Sequence, residues 1–171
     1  MLKTSSFMGL SILLVGCSST PIQVVDTEHS AKIRVFHGTA VYLYPGQTCY
    51  GTKNSEYIHA AAGGFSMLVA NKKVGMPTTD DTPWSYHEYV IPADKPLTIE
   101  MSWADDSGGY SRSCGPIGVT FTPEIGKYYD TTMLFADSHC SVRLRELVEV
   151  SPGKATATIK ASTPAFTCPK R

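Results

Sequence analysis

The sequence lacks an excess of charge of either sign, since 15 basic residues balance 15 acidic ones. A chain without a basic patch has no electrostatic basis for binding nucleic acid, so we expect no nucleic-acid partner. The sequence also lacks the motifs G-x-S-x-G, G-x-x-x-x-G-K-[ST] and H-E-x-x-H, which mark common hydrolase, nucleotide-binding and zinc-protease sites. These absences predict a protein that is not an enzyme and that has no catalytic residue, metal or cofactor.

Long apolar runs are absent as well. A membrane-spanning helix takes ~20 apolar residues, and the apolar stretch from Phe7 to Val15 is much shorter. Lys3 precedes this stretch and the small residue Gly16 follows it. A positive start, a short apolar segment and a small-residue exit are typical of a secretory signal peptide. We therefore assign residues 1–16 to a signal peptide and exclude them from the fold.

The end of this segment, Leu14-Val15-Gly16-Cys17, resembles the lipobox of bacterial lipoproteins. In that family the chain is cut before the cysteine, whose thiol carries a diacylglycerol and whose amine usually receives a further acyl chain such as palmitate. The resemblance implies that Cys17 is the lipidation site. Because Ser18 follows it rather than aspartate, the resemblance also implies the outer membrane, on its periplasmic face or at the cell surface. The alternative is an ordinary signal peptide with a chance cysteine.

Four cysteines remain once Cys17 is set apart: Cys49, Cys114, Cys140 and Cys168. An exported protein enters an oxidising compartment, so an even number of cysteines predicts disulfides, here two. Four cysteines allow three pairings, and the spacing does not choose among them. A zinc site is disfavoured because none of the four has a second cysteine two to four residues away.

Alternation of apolar and polar residues is the main structural signal. It is clearest in the segment PLTIEMSW, where Leu97, Ile99, Met101 and Trp103 share one face. Short segments of this kind recur between glycine- and proline-rich turns, and none keeps a helical period over a dozen residues. The pattern predicts an all-β fold: an antiparallel β-sandwich of the immunoglobulin or transthyretin type, with about eight strands and with disulfides.

The same pattern divides the mature chain into three parts. Residues 17–30 show no clear period and are expected to form the acylated amino terminus and a tether. Residues 31–150 carry the alternating segments and form the sandwich domain, with long polar loops expected at 72–83 and 104–116. Residues 151–171 contain few large apolar side chains, so we expect a loosely ordered tail that Cys168 holds in place if it is bridged.

The mature chain is similar to a group of small uncharacterised lipoproteins of Gram-negative bacteria. The motifs that carry this resemblance are strand and turn segments: Ile33-Arg34-Val35, Gly75-Met76-Pro77, Glu88-Tyr89-Val90-Ile91-Pro92-Ala93, Cys114-Gly115-Pro116, Phe121-Thr122-Pro123 and Cys140-Ser141-Val142. The group implies no established activity. In architecture alone, the chain also resembles the transthyretin-like lipoprotein of the type VI secretion membrane complex.

A few residue sets are capable of chemistry, and each has a structural explanation that we favour. Asp137-Ser138-His139-Cys140 contains every member of a nucleophilic set, but members of a triad normally come from separate elements. His37 and His59, as a cross-strand pair, could supply two ligands of a metal site. A hydrolase would need a serine or aspartate beside His87 or His139. The acidic pairs Asp80-Asp81 and Asp105-Asp106 lack the pattern of a calcium loop.

Tyrosine is frequent, with nine residues in the chain. Tyr42 and Tyr44 share a strand face, as do Trp84 and Tyr86, and such residues either pack on a sheet or form contact surfaces. We therefore expect a lipid-anchored envelope lipoprotein that acts as a structural or protein-interaction module at the outer membrane, with an envelope protein as its partner. The alternative is a periplasmic lipoprotein that binds a small ligand in a pocket lined by tyrosine and methionine.

Overall fold

The computed structural model describes residues 27–51, 57–63, 70–107, 110–136 and 139–169. These residues contain a short 3-10 helix, η1 (Thr27–His29), and eleven β-strands: β1 (Ser30–Phe36), β2 (Ala40–Pro45), β3 (Cys49–Tyr50), β4 (Ile58–Ala61), β5 (Tyr86–Pro92), β6 (Leu97–Ser107), β7 (Tyr110–Phe121), β8 (Tyr128–Ala136), β9 (His139–Ser151), β10 (Lys154–Ile159) and β11 (Thr163–Thr167). Within these ranges no helix is long and apolar enough to cross a bilayer.

The strands form two sheets. Sheet 1 has the order β10-β9-β8-β1-β5, and sheet 2 has the order β3-β11-β7-β6-β2-β4. The all-β prediction and the two disulfides are confirmed. The expected count of about eight strands is too low, because the described residues contain eleven. Nor is the pairing purely antiparallel, since β1 pairs in parallel with β8 and β11 in parallel with β3.

One hydrophobic core draws side chains from both sheets. Ile99 and Met101 of sheet 2 are fully buried, and so are Ile33 and Val35 of sheet 1. The alternation in residues 97–101 therefore marks the core face correctly. Burying a large aliphatic side chain contributes ~1.5–3 kcal/mol, so this shared interior accounts for most of the attraction between the sheets.

Two segments that were expected to be irregular are strands. Residues 104–116 belong mostly to a long hairpin, because β6 pairs with β7 as far as Ser107 and Tyr110. The predicted loosely ordered tail is also wrong for the described part of residues 151–171. β10 pairs with β9, and β11 pairs with both β7 and β3. The side chains of β10 are largely solvent-exposed, so this edge strand needs no large apolar residues. Its alternation of alanine with threonine is too weakly apolar to mark a buried face.

Candidate functional site

The candidate site begins with residues 70–85, which we call the strap. The carboxylate of Glu88 on β5 accepts hydrogen bonds from the backbone N–H groups of Val74, at 2.7 Å, and Met76, at 3.3 Å. Lys32 on β1 donates to the Val74 carbonyl oxygen at 2.9 Å. The expected long loop at 72–83 is therefore pinned to the outer face of sheet 1.

Beneath the strap lies a row of charged side chains with alternating sign: Glu88 on β5, Arg34 on β1, Asp130 on β8 and Arg145 on β9. They are successive cross-strand neighbours in the register of sheet 1. Arg34 binds Glu88 at 2.7 Å, and Arg145 binds Asp130 at 2.7 Å. We call these four residues the charge row. All four are buried, so each depends on its partners for the interactions that water would otherwise supply.

The strap closes over both ends of the charge row. Arg34 donates to the backbone carbonyl oxygens of Met76, at 3.3 Å, and Pro77, at 2.9 Å. At the other end, Arg145 donates to Asp81 at 2.6 Å. That hydrogen bond, aided by a second one from Thr79, lowers the pKa of Asp81 to about 2. The charge row therefore holds the strap in place. Since it contains no nucleophile, its role is to position the strap.

The base of the strap lies against two histidines. His37 follows β1 and His87 belongs to β5, and their ring centroids are 4.4 Å apart in an edge-on arrangement. Asn71 joins the two ends of the strap, because its side chain donates to the Trp84 carbonyl oxygen and accepts from the Tyr86 N–H. His59, which the sequence suggested as a partner for His37, instead stacks on Tyr42 on sheet 2 with centroids 4.8 Å apart.

At one end of the molecule a disulfide links the two sheets. Cys114 on β7 is bonded to Cys140 on β9, with Cα atoms 6.2 Å apart. Next to this bridge, the rings of Trp103 and Phe135 pack edge-on with centroids 5.1 Å apart. We call this end, formed by the β6–β7 and β8–β9 hairpins, the hairpin pole. The second bridge, Cys49–Cys168, fastens the end of the chain beyond β11 to β3.

Aromatic side chains gather on the outer face of sheet 2. Tyr57, which is 51% exposed, packs edge-on against Tyr42 at 5.6 Å between centroids. The Tyr44 hydroxyl donates to Glu100 at 2.5 Å, and burial together with this carboxylate raises the pKa of Tyr44. This cluster is partly buried packing with one exposed ring, which agrees with the sheet-packing interpretation of the tyrosines.

The other candidate residues are not brought together. Cys17 and the pair Asp137-Ser138 lie outside the described residues. Cys140 is consumed by its disulfide, so it is not available as a nucleophile. Asp80 is fully exposed and its nearest cation, Lys154, is 3.9 Å away. Across the described ranges no three acidic, histidine or cysteine side chains are grouped as metal ligands.

An open groove of about 350 Å³ lies between the start of β6 and the segment before β11. Its lining residues are Thr48, Pro96, Thr120, Phe121, Thr122, Lys160, Ala161, Ser162 and Thr163. A small-ligand carrier was expected to use tyrosine and methionine, and this lining contains neither. Met101 and Met133 are instead buried in the core. This groove therefore does not provide the tyrosine- and methionine-lined pocket that the alternative function was expected to use.

The sequence interpretation missed the charge row. Arg34 lies on the polar face of an alternating strand, where solvent exposure is the ordinary outcome. Its burial depends on a segment about forty residues further along the chain, and its neighbour Asp130 is brought in by a parallel pairing. Neither contact leaves a local pattern. A charged residue in the middle of each of four strands was the only available signal.

Comparison with family models, curated proteins and solved structures finds no match for this chain.

Proposed function

We propose that this protein is a lipid-anchored lipoprotein of the outer membrane that acts as a structural or protein-interaction module, with an envelope protein as its partner. The export signal and lipobox-like sequence ending at Cys17 support the anchor. The two disulfides support folding in an oxidising compartment. The link between the sheets through Cys114 and Cys140 also supports an immunoglobulin- or transthyretin-like sandwich as the scaffold.

The observation that carries the interaction role is the position of the hairpin pole relative to the start of the domain. The His29 carbonyl oxygen accepts from Ala93, and that of Ser30 accepts from Gly126, so the chain enters the domain beside the turns at one end. Strand β8 runs from that end, at Tyr128, to Phe135 at the hairpin pole. At ~3.3 Å per residue it spans roughly 23 Å. A tether on the entry side would leave the hairpin pole facing away from the membrane.

The hairpin pole has the features of a contact surface. Phe135 is 53% exposed, although it packs on Trp103. The Cys114–Cys140 disulfide joins strands of the two hairpins covalently, which restricts their movement relative to each other. Exposed aromatic side chains on a preorganised support are favourable for protein binding because little conformational entropy is lost.

A photo-crosslinking amino acid at Phe135 tests this role in intact cells. Ile125 provides the matched control position, because it is exposed (47%) and lies in the turn at the opposite end. We expect one envelope protein to be captured from position 135 and not from position 125. The same protein should bind the purified wild-type domain and lose affinity at least tenfold for Phe135→Ala. Equal capture from both positions, or no loss on Phe135→Ala, would contradict the proposal.

A further inference from the structure

One of the two histidines at the base of the strap, His37, lacks the hydrogen-bond partners that a buried ring needs. Both ring nitrogens of His37 are buried, and neither has a hydrogen-bond partner. A neutral imidazole carries one N–H, and a protonated one carries two. The present site satisfies neither, so each proton added to His37 makes the buried ring less favourable.

His87 has the hydrogen-bond partners that His37 lacks. Its Nε2 lies 3.1 Å from the Ala70 carbonyl oxygen, which accepts only, so Nε2 carries the hydrogen. Its Nδ1 lies 3.4 Å from the Tyr89 hydroxyl oxygen, whose own hydrogen is donated to the Ala60 carbonyl oxygen at 2.8 Å. A proton arriving on Nδ1 therefore meets an acceptor. The nitrogens of His37 meet no such acceptor.

The groups around the pair oppose a positive charge on His37. The ring centroids of His37 and His87 are 4.4 Å apart. Among the described residues, Tyr89 on β5 contacts the His87 ring, and Lys72 on the strap lies over the Tyr89 ring. Lys72 Nζ lies 4.4 Å from the centre of the Tyr89 ring, so it adds positive charge. Burial, followed by the charge on His87, lowers the pKa of His37.

These contacts belong to the points where the strap is attached. His37 donates its backbone N–H to the Ser85 carbonyl oxygen at 3.4 Å, and Glu88 donates its own to the Lys72 carbonyl oxygen at 2.8 Å. Ala70, at the start of the strap, bonds to the His87 ring. The pair therefore lies against both ends of the strap, with His37 bonded to Ser85 and His87 bonded to Ala70.

We propose that His37 and His87 form a proton-sensitive catch that holds the base of the strap at neutral pH and loosens it when the surroundings become acidic. A group whose pKa is lowered by folding favours the closed form above its ordinary value, 6.5 for histidine. That preference is lost as the pH falls through the lowered pKa. The charge row continues to hold the middle of the strap. Asp81, which binds Arg145 of that row, has a pKa of about 2 and stays ionised at this pH.

Amide hydrogen exchange between pH 7.5 and 5.5, corrected for the intrinsic pH dependence of exchange, tests the catch. We expect protection of the amides at the base of the strap, those of His37, Tyr86 and Glu88, to fall about tenfold. Val74 and Met76, which donate to the Glu88 carboxylate in the charge row, should keep their protection. Protection of the core amides of β6 should not change. His37→Phe and His87→Phe should abolish the response, while His59→Phe, which alters a histidine on sheet 2, should keep it.

An unchanged base of the strap would overturn the proposal. A response that persists in His37→Phe or in His87→Phe, or one that is abolished by His59→Phe, would also overturn it. A response that disappears in EDTA would assign the pair to a metal and would overturn it as well. If His37→Phe does not fold, NMR titration of the native protein decides. The His37 ring must then titrate below 6.5 together with the loss of protection at the Glu88 N–H, which donates to Lys72 at the base of the strap. Separate titrations would contradict the catch.

Discussion

At the scale of single residues, Glu88 connects the strap to the outer face of sheet 1. Its carboxylate serves the buried Arg34 and two strap amides. Removing one member of a buried ion pair costs about 3–5 kcal/mol, because the other charge is left uncompensated. We predict that Glu88→Ala lowers the free energy of unfolding by about that amount in chemical denaturation.

Glu149→Ala is the matched control for this prediction. Glu149 is exposed and accepts one backbone hydrogen bond, from Gly153, so its loss should cost about 1 kcal/mol or less. The joint replacement Arg34→Met with Glu88→Leu should recover much of the loss, since apolar pairs often replace buried ion pairs without penalty. Equal destabilisation by Glu88→Ala and Glu149→Ala would show that the ion pair does not hold the strap.

Asp81 gives a prediction with a defined pH window. Its pKa is lowered to about 2 by hydrogen bonds from Arg145 and Thr79. A carboxylate with a lowered folded pKa stabilises the fold above its ordinary value of 3.8, and this stabilisation disappears as the pH falls through about 2. We predict that Asp81→Asn is less stable than wild type at pH 6 and that the difference closes near pH 2.

The size of this effect is limited by solvent. The Asp81 side chain is 57% exposed, so screening should keep the difference below about 1 kcal/mol. Asp80→Asn is the control, because Asp80 is fully exposed and its ion pair with Lys154 is long. Denaturation curves for wild type, Asp81→Asn and Asp80→Asn between pH 6 and pH 2 measure the effect of each substitution on the free energy of unfolding. A larger effect at Asp80 than at Asp81 would refute the assignment.

At the scale of elements, the two disulfides should protect different parts of the chain. Removing Cys49–Cys168 leaves β11 with three residue pairs to β7 and two to β3, too few to hold a terminal strand firmly. We predict that Cys49→Ala with Cys168→Ala raises hydrogen exchange and proteolysis in β11, while Cys114→Ala with Cys140→Ala raises both at the hairpin pole.

Each double variant is the control for the other. Their loops span 119 and 26 residues, and chain entropy alone predicts stabilisation of about 3–5 kcal/mol for each. The difference should therefore lie in where protection is lost rather than in how much stability is lost. Uniform loss of protection in both variants would contradict the separate roles.

The sequence predicts strands well where one face is buried and poorly where the partner is distant. Leu97, Ile99 and Met101 alternate because one face of β6 meets the core, and that periodicity is visible locally. β10 has no such face, and the burial of Arg34 depends on the strap and on a parallel partner. The disulfide pairing likewise follows from topology, since Cys114 and Cys140 lie on different sheets.

At the scale of the whole molecule, the proposed lipid anchor would hold the two-sheet domain at its entry end and leave the hairpin pole free. A tethered domain meets partners at a raised effective concentration only while its anchor holds. We predict that Cys17→Ser leaves the purified domain folded but abolishes capture of the envelope partner through position 135 in cells. Capture at the wild-type level would contradict this prediction, because the interaction would then not depend on the anchor.

The central claim is the lipid on Cys17, and intact-mass spectrometry of the protein extracted from membranes tests it most directly. The account predicts a mature chain that begins at Cys17 and carries the added mass of a diacylglycerol and an amide-linked acyl chain. Cys17→Ser should lack this mass and leave the membrane fraction. An unmodified wild-type chain in the soluble fraction, beginning at another residue, would contradict the claim.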